Sequence, residues 1–196
     1  MRNVLLVAAL IGIGGWFLKP QGFTSYGPGV LAPEAPIQRE VGISGNGLER
    51  EGYAISALAS FKGKARVLAR EDYYFGRETD LSPTDLVLGW GPMSDESVLA
   101  EIDISQRNRF YFWHVDTFPI PRHEIERNSA NMHFIPANRL VADVLDDVGA
   151  GDLIEFDGYL VKISGDDGWR WQSSLTRNDT GNGACELIWL RDIRIL

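Results

Sequence analysis

Cysteine is almost absent. Cys185 stands alone in 196 residues, which excludes an intrachain disulfide and any multi-cysteine metal site. Positive charge is also scarce: 19 Lys and Arg against 27 Asp and Glu give a formal charge of -8. Such a chain has no basic field to replace the counterions of a phosphate backbone, so a nucleic-acid partner is not expected. There are three histidines, His114, His123 and His133. They do not fall at zinc-ligand spacing and no His-Glu-x-x-His occurs, so no metal is expected. Gly89-Trp90-Gly91 lacks the lysine and spacing of a phosphate loop, and no cofactor is expected. Internal repeats and low-complexity tracts are absent too.

What the chain does have begins with one long apolar run. Arg2 precedes Val4 to Leu18, which carry no charge, and Lys19-Pro20 closes the stretch. As a helix rising about 1.5 Å per residue it covers roughly 22 Å, short of a hydrocarbon core of about 30 Å. Snorkelling by Arg2 and Lys19 and an interfacial Trp16 would close the gap. Residues 1–18 are therefore expected to form an N-terminal transmembrane helix. A cleaved signal peptide is the competing reading, although no small-residue cleavage site follows within reach. The positive-inside rule puts the N-terminus in the cytoplasm and the body outside, as a single-pass protein of the inner (plasma) membrane with a periplasmic or extracellular domain.

Residues 19–52 hold seven glycines and four prolines and read as a linker. Residues 53–196 read as one globular, β-rich domain, because 44% hydrophobic and 23% charged residues are ordinary for a packed body. Alternation over Tyr53 to Phe61 and again over Ala65 to Glu71, broken by Lys62-Gly63-Lys64, predicts a hairpin. Asp85 to Trp90 is a buried strand or one helical turn. Ser94 with Asp95 and Glu96 predicts the start of a two-turn helix. Ile102 to Ser105 and Arg109 to Asp116 read as strands, the second central because both its faces are apolar. Asn138 caps a helix whose Leu140, Val141, Val144, Leu145 and Val148 share a face. From Leu153 on, four strand-like runs alternate with turns expected at Asp157-Gly158, Gly165 to Gly168 and Asn178 to Gly183. The expected fold is mainly β (α+β), a small curved sheet or barrel with two short helices.

Few residues can carry chemistry. Ser129, Asn131 and His133 lie at strand spacing and share a face, with His133 suited to proton transfer near neutral pH. Trp169 and Trp171, also on one face, and nearby Arg177 are candidates for stacking on and binding a partner. Cys185 alternates with Leu187 and Trp189, which predicts a core face; the sharper alternative pairs it with His133 as nucleophile and base, assisted by Arg191 or Arg194. Asp179-Thr180-Gly181 matches an aspartic-protease core triplet, but it stands in a glycine-rich turn with too little chain behind it.

The order anchor, barrel, histidine, strand-end cysteine, arginine resembles the layout of sortase transpeptidases, which implies Cys185 and His133 as catalytic. Their Thr-Leu-x-Thr-Cys signature is missing, since Gly183-Ala184 precedes Cys185. The pattern Trp169-x-Trp-x-Ser-Ser-Leu through Gly183-Ala-Cys-Glu186, with Ala130-Asn-x-His-x-Ile-Pro-Ala137 and Gly89-Trp-Gly-Pro-Met93, resembles a family of uncharacterised bacterial proteins with an N-terminal anchor. That resemblance covers residues 53–196 and implies no activity. The sequence thus points to a membrane-anchored extracytoplasmic binding or assembly domain with a protein partner in the envelope, non-enzymatic, with a cysteine transpeptidase or hydrolase as the alternative.

Overall fold

The computed structural model describes residues 22–41, 46–176 and 185–196. The expected anchor and Arg177 lie outside the described residues, within which no helix is long and apolar enough to cross a membrane.

Five strands close a barrel. β3 (Tyr53–Asp72), β4 (Thr84–Gly89), β7 (Ser129–Pro136), β10 (Glu186–Ile195) and β8 (Leu153–Gly165) pair in that order, and β8 returns to β3. All neighbours are antiparallel except β7 with β10. Counted within the barrel, the order is 1-2-3-5-4-1, with the parallel pair between the third and fifth strands. A helix, α3 (Arg139–Asp147), joins the third strand to the fourth. This is the arrangement of the OB-fold, a five-stranded Greek-key barrel. The comparison is one of topology.

The closure depends on β3. Its residues 53–66 pair with β8 and its residues 66–72 with β4. A strand shared between two neighbours along its length must bend. Register shifts at Ala57/Ala59 and Val67/Ala69 supply that curvature. The barrel interior is lined by Phe61, Val67, Leu86, Leu88, Met132, Phe134, Phe156, Leu160 and Ile188 among others, and Val141 and Leu145 of α3, with Val148 just after it, pack into the same cluster. Asn138 caps that helix by accepting from the Val141 amide at 3.1 Å.

Outside the barrel, β1 (Ile37–Glu40) and β2 (Asn46–Arg50) add to β3, and β9 (Arg170–Gln172) adds to β8. A separate two-stranded hairpin, β5 (Asp103–Arg107) with β6 (Phe110–His114), leaves the barrel between β4 and β7. Short helices α1 (Glu96–Leu99) and α2 (Arg122–Arg127) flank it.

The mainly β curved sheet is as expected, while several elements differ. Among the described residues there are three short helices, not two. The predicted hairpin at Lys62-Gly63-Lys64 is one uninterrupted strand: glycine there serves close packing, since a Cβ on Gly63 would lie 2.9 Å from Pro36 Cα. Likewise Asp157-Gly158 is no turn, because Gly158 lets Trp189 O approach within the β8–β10 pair. The helix near Ser94 has one turn, and Asp95 caps it instead of Ser94. β6 is not central: Tyr111 and Trp113 on one face pack on an apolar cluster of Leu68, Val87, Met93, Ile102 and Ile125, while Phe112 and His114 on the other face are exposed. Finally, residues 22–41 and 46–50, in the stretch read as a linker, are built onto the body, most tightly over 22–32.

Candidate functional site

The pleat that sends Met132 and Phe134 into the barrel sends Ser129, Asn131 and His133 out of it. On β4 the same alternation turns Asp85 and Val87 outward, opposite His133 and Asn131 in register. Cys185 stands just before β10, whose Glu186 and Leu187 pair with Met132 and His133. The structure thus puts the predicted Asn131 and His133 of β7 and Cys185, just before β10, on one outer face, with Asp85 of β4 beside them.

That face is covered. Ser129, Asn131 and His133 are buried, and Asp85 is fully so. The cover is the tip of the β5–β6 hairpin, a two-residue turn in which Asn108 and Arg109 both have positive φ, 54° and 69°. Asparagine tolerates that conformation; arginine is strained in it, and glycine is usual there. Arg109 is held by many contacts. Its Nη1 donates to Asp85 Oδ1 and to Ser82 O at 2.8 and 2.9 Å, and its Nη2 donates to Thr79 Oγ1 at 3.0 Å. Its backbone N–H donates to Tyr73 Oη at 3.0 Å, and its guanidinium lies 4.0 Å from the centre of the Tyr73 ring. Its carbonyl accepts from Asn131 Nδ2 at 3.0 Å and from the Cys185 thiol at 3.7 Å.

His133 completes the cluster. Its Nδ1 is 2.8 Å from Asp85 Oδ1, a contact at ion-pair distance that does not form a well-aligned hydrogen bond. Its ring packs 5.1 Å from that of Trp171, centre to centre. Gln106 Nε2 donates to Asn131 Oδ1 at 2.8 Å and ties the hairpin to β7 a second time. Among the described residues, Asp85 Oδ2 and Gln106 Oε1 are buried without a hydrogen-bond donor. Ser129 has a local role: its Oγ donates to Ile125 O at 2.7 Å and meets the Tyr111 hydroxyl at 2.9 Å. Burial, with Asp85 nearby, pushes the Tyr73 phenol up to about 12.

A second surface adjoins this one. Trp169 and Trp171 are half-buried and stack edge to face at 6.1 Å, and Tyr53 meets Trp169 edge-on at 5.8 Å. Arg77 lies 4.6 Å over Trp169 and donates to Asp167 at 2.6 Å. The Arg77 pair holds the Asp167 carboxyl below its ordinary range.

Arg191 and Arg194 are not part of the site. Both are exposed and pair with Asp157 and with Glu155 on β8, because β10 carries them well past Cys185 along the barrel. The arginine at the cysteine is Arg109, which sequence reasoning did not select, nor did it select Asp85 or Tyr73. The signals were there: one carboxylate inside the apolar Thr84-Asp85-Leu86-Val87-Leu88 run, and a polar pair, Asn108-Arg109, between two strands. No group of three or more His, Cys, Asp or Glu residues able to hold a metal occurs among the described residues. Comparison with protein-family models, with curated proteins and with solved structures returns no match.

Proposed function

We propose that the chain is a membrane-anchored extracytoplasmic domain that docks a component of the cell envelope on the half-buried Trp169–Trp171 shelf, beside the hairpin-covered outer face of β4 and β7. One observation carries this reading. The candidate side chains gather on the second and third barrel strands and beside the loops that follow the first and fourth, which is the face OB-fold barrels use for elongated polar ligands such as oligosaccharides. That link is an analogy of fold. The negative charge of the chain favours a neutral or cationic ligand over a nucleic acid. Half-buried tryptophans beside a guanidinium suit stacking on a sugar ring or a peptide side chain. In a pull-down from detergent-solubilised membranes, Trp169→Ala is expected to lose specific partners that the wild-type chain retains; an unchanged profile with the fold intact would overturn the reading.

A second reading rests on the proximity of His133 to Asp85 with Cys185 on the same face. A carboxylate beside one ring nitrogen can orient an imidazole to take a proton with the other. In this reading the domain is a cysteine-dependent acyl-transfer enzyme or hydrolase that works when the hairpin lifts. Native thiol labelling separates the two. A docking domain labels slowly until denatured, whereas a catalytic thiolate labels fast in the folded state and slows in His133→Ala.

A further inference from the structure

Residues 22–32 run across one end of the barrel, and six of their backbone amides donate to the body. The Thr24 amide donates to Ala150 O at 2.8 Å. Ser25 Oγ and the amides of Tyr26 and Gly27 donate to the Glu96 carboxylate at 2.7 to 3.1 Å. Gly29 donates to Asp95, and the amides of Leu31 and Ala32 to Ser94 Oγ. The Gly91 amide donates to Ala32 O at 2.8 Å. Beneath them Arg66, fully buried, donates to Thr24 O and Glu96 at 2.9 and 3.0 Å and lies under the rings of Phe23 and Tyr26 at 5.0 and 5.4 Å. Outward, the same strap shows Phe23, Tyr26 and Val30, 43 to 49% exposed, beside an equally exposed Leu196.

Only residues 19–21 separate the apolar run from this strap. At about 3.3–3.6 Å per residue they reach about 11 Å at most. A body fixed from Gly22 on cannot swing on a long leash.

We propose that the strap end of the barrel is a membrane-apposed face: lipid headgroups cover Phe23, Tyr26 and Val30, and the domain stands on the bilayer in one orientation. The inference rests on the reading of residues 4–18 as a retained anchor. Two of the three outward side chains are aromatic, the type that settles at the interface. Asp95 and Glu96 turn their charge inward onto the strap amides and Arg66, which leaves a face suited to zwitterionic headgroups. β8 then sets the height of the candidate site. It starts at Leu153, beside the strap contact at Gly151, and ends at Gly165, beside Arg77 and Asp167. At about 3.3 Å per residue its thirteen residues place the tryptophan shelf some tens of ångströms from the headgroups.

The test uses the full chain in nanodiscs of phosphatidylcholine with brominated acyl chains, in a Cys185→Ser background, or Cys185→Ala if serine is not tolerated. A fluorophore is placed at Val30→Cys or, as the distal control, at Asp166→Cys. Brominated lipid is expected to lower fluorescence about twofold or more at position 30 and to leave position 166 unchanged. Equal quenching at both positions, or none at position 30 in disc-bound protein, would overturn the apposed face. Recovery of the chain outside the discs with its N-terminus removed would overturn the anchor as well, and N-terminal mass distinguishes that failure from the first.

Discussion

His133 Nδ1 approaches Asp85 Oδ1 to 2.8 Å across the β4–β7 pair, and Arg109 reaches the same oxygen, at 2.8 Å, from a hairpin outside the barrel sheet. One buried carboxylate thereby links the barrel wall to its cover. Asp85→Ala leaves the Arg109 guanidinium without its counter-ion, hydrogen-bonded only to Ser82 O and Thr79 Oγ1, and removal of one partner of a buried pair typically costs about 3–5 kcal/mol. Urea unfolding is expected to show a loss of that order. Asp85→Asn, which keeps the shape and an acceptor, is expected to lose less.

The hairpin tip separates strain from attachment. Asn108→Gly relieves a left-handed residue without touching Arg109's bonds, so stability should hold or rise by up to about 1 kcal/mol. Arg109→Gly relieves a costlier strain, about 1–2 kcal/mol, yet removes the guanidinium from Asp85, Ser82 and Thr79. It is expected to destabilise on balance, and to speed native labelling of Cys185, whose thiol now donates to the Arg109 carbonyl. Equal behaviour of the two variants in thermal melts and labelling would show that the guanidinium does not hold the cover.

Gly151 is a sensitive point of the strap. Its φ is +88°, and a Cβ there would overlap the backbone N and O of Thr24. Gly151→Ala combines left-handed strain with a clash against backbone, so a loss of about 1–3 kcal/mol is expected. Proteolytic cleavage within residues 22–32 should appear well below the melting temperature, with the barrel fragment left intact. Gly168→Ala also has positive φ, 88°, but nothing within 4 Å of its Cβ, and isolates the strain contribution.

How much of this was legible follows from the range of the forces involved. Local patterning marked β7, β10 and the capped helix α3 from a few residues each, while the unbroken apolar run of β4, buried throughout, left strand and helical turn open. The glycines at 63 and 158 misled, because both signal close approach of a distant segment and not a turn. The strap was hidden for the same reason: Gly27 and Gly29 look like linker residues, and only the carboxylates of Glu96 and Asp95, some seventy positions away, fix them. In the site, the shared face of Asn131 and His133 follows from their spacing alone. The partnership with Asp85 and Arg109 depends on strand register and on a hairpin docking, neither of which has a local signature.

Alkaline titration should single out Tyr73. Its phenol is pushed up to about 12 by burial and by Asp85, from an ordinary 10.0. A raised folded value means that the unfolded chain ionises first, so the associated stability is complete below about pH 10 and falls as pH rises toward 12. In Tyr73→Phe that portion of the alkaline loss should vanish. An unchanged stability curve over this window would show that Tyr73 titrates as an ordinary surface tyrosine.

Acid should act on the strap. The Glu96 carboxyl is held below its ordinary 4.5, first by the Ser25 hydroxyl and then by Arg66 and the Tyr26 and Gly27 amides; Asp95 is held below 3.8, chiefly by the Gly29 amide. Depressed folded values mean that the unfolded chain takes up protons first as pH falls. The stabilisation is therefore complete above about pH 4.5 and is lost progressively below it, as the carboxyls protonate and no longer accept from every strap donor. Hydrogen exchange at the amides of Tyr26, Gly27 and Gly29 should accelerate in that window before the barrel unfolds. Glu96→Gln should show the same acceleration at neutral pH, since it keeps the size of the side chain and removes the charge that faces Arg66. Protection of those amides that does not change between pH 6 and pH 3 would mean that the strap is held by its rings and backbone alone.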